Sequence, residues 1–250
     1  MIRVLTRSLD VLEYLAAQPA RNHALAEVAS AAQLDPATAR RILSALAERG
    51  YAEQAAPRGG YRLGPMAFAL GAHGPYAPDL VAAANGPVAE LAGRLGEAVL
   101  LAVLRDGRRF TLCQADGGRS VQVRTAVLLE PNPYRTATGR LLVAHLDAAA
   151  LATFIRTNGL PGAEWPEART HAALDAVLAS IRREQALVDF PNDLAAVAVP
   201  VCAGEQVVAA LGVFLPVERY RIRRTEIIAG LRATALAISR TLHVAANPQG

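Results

Sequence analysis

The segment between residues 24 and 50 constrains the fold most, because it encodes two short helices with a defined break between them. Apolar residues recur in both halves at the spacing of one buried helix face: Leu25, Val28 and Ala29, then Ala39, Ile42, Leu43, Leu46 and Ala47. Asp35 can cap the N–H groups of the second helix, and Pro36 suits its first position. Pro36 also disfavours helical geometry at Asp35, and Gly50 ends the second helix. The pattern predicts a helix-turn-helix.

The second helix carries small, hydroxyl and guanidinium side chains on or beside the face opposite its apolar stripe: Ala37, Thr38, Arg40, Arg41 and Ser44. Such a surface at a helix N-terminus suits entry into a DNA major groove, where arginine pairs with guanine edges or phosphate. These residues are our candidate DNA contacts. The alternative is a solvated helix face, because helix pairs with short connections are common in all-α proteins.

Composition limits the class of protein. A chain of 250 residues with 52% hydrophobic and 19% charged residues has room for one large or two ordinary domains, each with a core. Apolar runs stay shorter than the about 18 residues of a membrane-spanning helix, and Asp10 and Glu13 argue against a signal peptide. We therefore expect a soluble cytoplasmic protein without a membrane partner. The net charge of +4, with all 26 basic residues arginine, is compatible with a polyanion partner without establishing one.

Residues that usually carry catalysis or bind metals form no recognisable set. Cys113 and Cys202 lie in apolar, strand-like surroundings, which is typical of buried free thiols. The 5 histidines have no metal-ligand spacing, and no phosphate-binding glycine loop or nucleophile elbow occurs. We therefore expect no enzymatic activity, no metal site and no cofactor. An enzyme that uses Cys113, Cys202 or His145 remains a less favoured alternative.

The segments around the helix pair complete a winged helix domain. A helix over residues 6–17 has one apolar face, and short strands at 51–53 and 60–63 flank a turn that contains Arg58. Arg58 is a further candidate for contact with the DNA backbone, although exposed turn arginines are often only solvated.

The rest of the chain predicts a linker and then a mixed domain of helices and strands. Gly86-Pro87 interrupts the helical pattern at 79–95, which predicts a kink or two consecutive helices. Asp106-Gly107 favours a hairpin turn. The remaining expectations are a short helix at 65–71, strands at 120–127 and on both sides of Gly204-Glu205, and helices at 147–157, 168–185 and 221–242.

Four motifs in this order and spacing resemble the N-terminal half of IclR-family transcriptional regulators: Arg7-Ser8-Leu9-Asp10-Val11-Leu12, Thr38-Ala39-Arg40-Arg41-Ile42-Leu43, Glu48-Arg49-Gly50-Tyr51 and Tyr61-Arg62-Leu63-Gly64. The resemblance continues over nearly the whole chain. It implies an α+β protein with a winged helix-turn-helix domain at 1–64, a linker with a helix at 65–78, and a GAF-like effector-binding domain at 79–246.

The resemblance also implies a pocket for a small carboxylate effector. Its residues would be Thr136, Ala137, Thr138 and Gly139 at a helix start, Asp189, and Leu194, Ala196, Gly212 and Phe214 on the last two strands. The chain has Tyr134 where the family usually has His, and Arg140 where it usually has Lys. At Gly212 and Phe214, serines can bind an effector in the family, so we expect a less polar cavity and an aromatic or partly apolar acid. The alternative for 134–142 is an ordinary capped helix packed on the sheet.

The expected partners are a double-stranded DNA operator, a small-molecule effector and further copies of the chain. A homodimer or homotetramer would present paired recognition helices to symmetric half-sites, as a repressor or as an activator. The alternative is a ligand sensor that acts through a protein partner without binding DNA.

Overall fold

The computed structural model describes residues 2–17, 21–56, 59–73, 76–118 and 128–246. The chain divides into two compact units, Met1–Tyr76 and Ala77–Gly250. Helices and antiparallel strands occur in both units, which confirms the predicted α+β class. Within the described residues, the helices all fall short of the length or the apolarity that crossing a membrane requires. Arg58 and the predicted strand at 120–127 lie outside the described residues.

The first unit is a winged helix domain, as predicted. Its elements are α1 (Arg3–Ala17), α2 (Leu25–Ala31), α3 (Pro36–Glu48), β1 (Ala52–Gln54), β2 (Tyr61–Leu63) and α4 (Pro65–His73). Side chains of α1, α2 and α3 form its core, with Val11, Leu15, Val28 and Leu43 almost fully buried. The wing, formed by β1 and β2, is more than a hairpin, because the backbone of His23 pairs with that of Tyr61 on β2. This extra bridge joins residues 38 positions apart in sequence (61 minus 23) and was not predicted.

The second unit is built on one antiparallel sheet with the strand order β5-β4-β3-β8-β7-β6. Its strands are β3 (Val99–Arg105), β4 (Arg108–Ala115), β5 (Leu129–Glu130), β6 (Leu187–Asp189), β7 (Leu194–Ala203) and β8 (Gln206–Pro216). Its helices are α5 (Pro78–Leu95), α6 (Ala137–Ala144), α7 (Ala148–Asn158), α8 (His171–Glu184) and α9 (Val217–Ala246). The predicted β3–β4 turn forms, with Asp106 and Gly107 both at positive φ.

The two faces of the sheet have different side chains, and this difference creates space on one of them. The face that packs on α5 and α9 carries large residues such as Val197, Val199 and Leu211. The face that packs on α6 and α8 carries Ala196 and Ala198 and small residues at the matching positions of neighbouring strands. Small side chains leave room between this face and α6, which is where the cavity described below lies.

Of the two outcomes predicted for the 79–95 region, a kink or two consecutive helices, the second is wrong, because α5 runs as one helix from Pro78 to Leu95. A proline in a helix interior costs roughly 3 kcal/mol, through a lost hydrogen bond and a steric clash. Burial of Leu80, Val88 and Leu91 on the same helix contributes about 1.5–3 kcal/mol each, which outweighs that cost. Tertiary packing therefore carries the helix through Pro87.

Two further differences concern the end of the chain. The last helix begins at Val217 rather than near residue 221, and its backbone leaves helical geometry at Arg223. Strand β6, at the edge of the sheet, was not predicted. It pairs with β7, with Asp189 opposite Ala196, and this pairing brings the carboxylate to the α6 side.

Candidate functional site

The predicted DNA-contacting residues lie on α3 of the first unit. Asp35 caps the helix as predicted, since its carboxylate accepts a hydrogen bond from the Thr38 N–H at 2.9 Å. This hydrogen bond holds the pKa of the Asp35 carboxyl below its usual value. The opposite side of the helix is turned to solvent: Ala37, Arg40, Arg41 and Ser44 are exposed, and Thr38 is half-buried. The helix therefore presents two guanidinium groups and a hydroxyl group on one accessible surface.

Arg7 fixes the turn between α2 and α3. Its guanidinium donates to the carbonyl oxygens of Ala32 at 2.8 Å and Gln33 at 2.5 Å, which are unsatisfied groups at the end of α2. Gln33 has a φ of 52°, a left-handed conformation in which most side chains are strained. This contact between α1 and the turn, which sequence reasoning missed, holds the angle at which α3 leaves α2.

A surface groove runs beside α3 and ends at the wing. Arg40 lines it together with Arg21, which precedes α2, and with Gln54 and Tyr61 of the wing strands. Arg21 lies 3.4 Å from Glu27, and both side chains are exposed. Arg21 and Gln54 were not predicted as contacts. Their place beside Arg40 extends the basic and amide surface from α3 toward the wing.

The second unit contains a cavity of about 180 Å³ between α6 and the sheet. Most of the predicted effector residues line it: Thr136, Ala137, Thr138, Asp189, Ala196, Gly212 and Phe214. Leu194 lies outside this wall, as does Gly139. The wall also contains residues that were not predicted, namely Leu100, Arg109, Arg135, Pro191, Val197 and Val213. These side chains thus meet at one cavity, and their role in effector binding stays a prediction.

Two glycines allow α6 to sit close to its surroundings. Gly139 lies against Pro133, and a Cβ at this position would overlap with the Pro133 carbonyl oxygen. Its N–H donates to the Oγ1 of Thr136 at 3.1 Å, so Thr136 is the cap of α6. On β8, a Cβ at Gly212 would lie 2.6 Å from the methyl group of Thr138. A serine at position 212 would therefore push against α6, and glycine is what lets the helix approach the sheet.

Arg140 occupies the position beside the predicted acidic contact and pairs with it. Its Nη1 donates to the Oδ2 of Asp189 at 2.8 Å, and its guanidinium carbon lies 4.9 Å from the centre of the Trp165 ring. Two further hydrogen bonds reach the carbonyl oxygens of Tyr134 at 2.5 Å and Glu164 at 2.7 Å. Asp189 thus reaches the cavity as a carboxylate whose charge is balanced by a buried guanidinium.

Arg109 is the buried cation of the cavity wall, and sequence reasoning missed it. It lies on β4, is only 3% exposed, and its Nε donates to the Oγ1 of Thr138 on α6 at 3.1 Å. Burial lowers the pKa of Arg109 to about 10, although the carboxylate of Glu130 on the neighbouring strand acts in the opposite direction. Arg109 is therefore a cation at neutral pH. The alternation of β4 was the available signal, but it does not say which of Arg108 and Arg109 faces inward.

The thiols differ from reactive cysteines in their environment. Burial raises the pKa of Cys113 to about 11 and also raises that of Cys202. Both are free thiols of intermediate exposure, whereas a reactive cysteine needs a lowered pKa. Across the described ranges, no group of three or more His, Cys, Asp and Glu side chains is arranged to hold a metal ion.

Comparison with known proteins gives matches to both units. The sequence profile described as the IclR helix-turn-helix domain matches residues 4–56, and the profile described as bacterial transcriptional regulator IclR C-terminal matches residues 77–240. The chain is 31% identical over 146 residues to the HTH-type transcriptional regulator TtgV of Pseudomonas putida, a match that covers 58% of this chain and 55% of TtgV. Matches to the curated relatives span 55–61% of the length of those proteins.

Solved structures share the fold over almost the whole chain. A transcriptional regulator of Rhodococcus sp. RHA1 superimposes with a TM-score of 0.71 at 24% identity, covering 98% of this chain and 100% of that one. An IclR homolog of Microbacterium hydrocarbonoxydans, in complex with 4-hydroxybenzoate, has a TM-score of 0.69 at 23% identity, covering 96% and 99%. Because the two family profiles together span both units, the chain belongs to the IclR family of bacterial transcriptional regulators.

Proposed function

We propose that this chain is a transcriptional regulator that binds a DNA operator through α3 and changes its operator affinity when a small organic acid binds in the α6 cavity. One observation carries the proposal: a single chain combines an accessible recognition helix with a small, separate cavity that contains fixed charges. Family membership and the names of the relatives, which are transcriptional regulators, support it. Because the proposed partner is chromosomal DNA, we propose that the protein acts in the cytoplasm.

In the proposed complex, the N-terminal half of α3 enters the major groove. Arg40 and Arg41 contact base edges or phosphate, Thr38 contacts phosphate or a base, and Ser44 lies further along the same face. Ala37 keeps the helix start narrow enough for close approach. Arg58 at the tip of the wing contacts the backbone in this proposal, on sequence grounds alone. The Arg21 side of the groove reaches phosphate beside the recognition helix.

The size and walls of the cavity favour a small, partly apolar effector. A cavity of about 150 Å³ holds one benzene ring, so 180 Å³ suits a substituted ring or a short aliphatic acid. Phe214 and Leu100 provide apolar contacts, whereas Gly212 stands where the family resemblance implies a hydroxyl. The 4-hydroxybenzoate bound by the Microbacterium protein makes an aromatic acid our first candidate.

The proposed regulation is a coupling of two binding equilibria. An effector changes operator affinity only if it binds one conformational state more tightly than the other. Linkage then requires operator DNA to change effector affinity by the same factor. Measuring both factors therefore tests whether the two ligands act on one conformational equilibrium.

We also propose that the chain acts as a homodimer, or as a tetramer made of two such dimers, held in part by the first unit. Large apolar side chains stand exposed on two of its helices, including Leu5 on α1 at 54% and Phe68 on α4 at 80%. Exposed apolar patches of this kind mark interaction surfaces, and a second copy is the partner that a symmetric operator requires.

The first experiment is a footprint of the full chain on DNA from its own upstream intergenic region. We expect a discrete footprint that is lost in the Arg40→Ala/Arg41→Ala double variant. The matched control is Arg156→Ala/Arg183→Ala, which removes the same charge from exposed sites of the second unit and should leave the footprint unchanged.

Two results would contradict the proposal. One is salt-sensitive binding to any DNA without a discrete footprint on a genomic operator library, which would favour a sensor that works through a protein partner. The other is turnover of a small molecule that is lost in Cys202→Ala, which would favour an enzyme. A footprint that survives the double variant while the fold is intact would remove Arg40 and Arg41 from the interface.

A further inference from the structure

We infer that Arg109 is the residue that binds the carboxylate of the effector, and that Thr138 on α6 orients its guanidinium. The inference rests on the proposed effector function of the cavity and assigns the acid-recognising group within it. Neither the family resemblance nor the sequence pattern had pointed to β4 as a source of ligand contacts.

The first argument is placement. Arg109 is part of the cavity wall although it is 3% exposed, so its charge lies beside the cavity but is largely shielded from open water. The pairing of β4 with β3 sets Arg109 opposite Leu104, whose side chain belongs to the core on the α6 face. The neighbouring Arg108 is exposed and points away from this face. Of these two adjacent arginines, Arg109 lines the cavity and Arg108 does not.

The second argument is orientation. A guanidinium presents five N–H donors in one plane, and a carboxylate binds best when it meets that plane edge-on with two oxygens. The hydrogen bond from Arg109 Nε to Thr138 Oγ1, at 3.1 Å, fixes the plane. Thr138 is itself held, because its methyl group lies close to the backbone at Gly212. The strand, the helix and the glycine together define one orientation of the guanidinium.

The third argument is that the other charged side chains of the cavity wall suit an acid less well than Arg109 does. Asp189 is a carboxylate, which would repel an acid, and its charge is balanced by Arg140. Arg135 lines the cavity as well, but its side chain is 56% exposed and lies 3.3 Å from Glu164. Arg109 is the buried cation of the cavity wall that faces the ligand space.

The fourth argument is energetic. A buried cation is stabilised by nearby anions, and a carboxylate bound at this largely buried guanidinium would add to the effect of Glu130. The apolar part of the acid would then contact Leu100 and Phe214. Because Thr138 stands between Arg109 and β8, a carboxylate that draws the guanidinium toward itself acts directly on α6. The residue that recognises the acid thus also contacts the helix at the cavity mouth.

The test compares acids with their neutral amides, using titration calorimetry on the full chain. The probes are benzoate, 4-hydroxybenzoate and phenylacetate, each paired with its primary amide, which has nearly the same shape. We expect the wild type to bind at least one acid about 30-fold or more tightly than its amide, as expected for a desolvated charge pair. In Arg109→Gln the preference should fall to within about threefold. Arg109→Lys should keep part of it, because the charge remains without the fork.

Arg108→Gln is the matched control, since it removes the same charge one residue away on the exposed face and should keep the full preference. The wild-type comparison needs no variant, so a folding defect in Arg109→Gln leaves the test intact. Equal affinity for acid and amide in the wild type overturns the inference, as does an acid preference that survives Arg109→Gln. Failure to bind any of the acids at 10 mM, about the weakest affinity of interest, also overturns it.

A footprint measured on the same preparation separates this failure from that of the proposed function. If the footprint forms and responds to a neutral compound, Arg109 does not recognise a carboxylate but the regulator proposal stands. If no footprint forms while the acids bind through Arg109, the inference stands and the DNA-binding proposal fails.

Discussion

Replacing Arg140 with methionine removes the side chain that ties α6 to the loops around it. Arg140 is 7% exposed, and its guanidinium bonds to the carbonyl oxygens of Tyr134 and Glu164 and to the carboxylate of Asp189. Methionine keeps most of the apolar stem but none of the donors, so it leaves two carbonyls and a carboxylate without this partner. An unsatisfied buried acceptor costs about 1–3 kcal/mol, and breaking a buried ion pair costs about 3–5 kcal/mol. Asp189 retains some solvent contact, so we expect a total loss of about 3–5 kcal/mol of unfolding free energy.

The assay is urea unfolding followed by tryptophan fluorescence. Trp165, the 1 tryptophan of the chain, is 3% exposed and lies against the Arg140 guanidinium, so its emission reports on this region of the second unit. Arg140→Lys should lose about half as much, because an ammonium group cannot reach all the acceptors that the fork serves.

Arg156→Met is the control for Arg140→Met. Arg156 is exposed and donates a hydrogen bond to Thr153 on the same helix at 3.2 Å, so its replacement should change the unfolding free energy by less than about 0.5 kcal/mol. If Arg140→Met lost less than about 1 kcal/mol, or no more than the control, the reasoning from buried acceptors would be refuted.

The other predictions concern packing, thiol chemistry and assembly. Gly139→Ala should destabilise the second unit by at least about 1–3 kcal/mol, because the added Cβ would overlap with the backbone of Pro133. Gly93→Ala on α5 has open space around the added Cβ and should stabilise the unit by about 0.5–1 kcal/mol. Thermal unfolding of both variants checks the opposite signs. Because burial raises the pKa of Cys113 to about 11 from 9.0, its thiolate at pH 8 should be about 100-fold less populated than that of an ordinary thiol. Iodoacetamide labelling of Cys113 should therefore be slow until the pH approaches 11, and fast at pH 8 in urea; equal rates would contradict the burial argument. Leu5→Asp/Phe68→Asp should shift the sedimentation of the chain toward smaller assemblies and weaken the footprint, with acid binding unchanged. A dimer that persists in this variant would show that Leu5 and Phe68 do not form the dimer interface.

Local chemistry explains why much of the fold was predictable from the residues. Asp35 and Pro36 mark the start of α3 through interactions within a few residues. Asp106-Gly107 marks the turn between β3 and β4 in the same way. The continuous apolar character of β7 and β8 reflects their burial between helix layers. In each case the determining contacts are close in sequence or follow from one repeating pattern.

Contacts between distant residues explain what was missed. Arg109 is brought to the cavity by pairing with β3 and by α6, and strand alternation alone assigns either of two neighbouring arginines to that face. The Arg140–Asp189 pair joins residues 49 positions apart, and Arg7 reaches carbonyl groups 25 and 26 positions away. Pro87 is a break by local rules, but the buried face of α5 overrides it. The site is therefore harder to predict than the fold, because its charges are matched across the tertiary structure.

The packing of α9 on α5 has a consequence for how the second unit could be rearranged. Arg223 donates to the carbonyl oxygen of Leu95 at 2.7 Å, and Gly230 faces Leu91, so residue numbers rise along one helix as they fall along the other. The first and last helices of the unit are thus antiparallel neighbours, which brings the start of α5 beside the far end of α9. A domain whose two ends meet can be excised, circularly permuted or inserted into another chain with short connections. If the proposed function holds, the second unit can accordingly be joined to a different DNA-binding domain, so that the chimaera responds to the same effector.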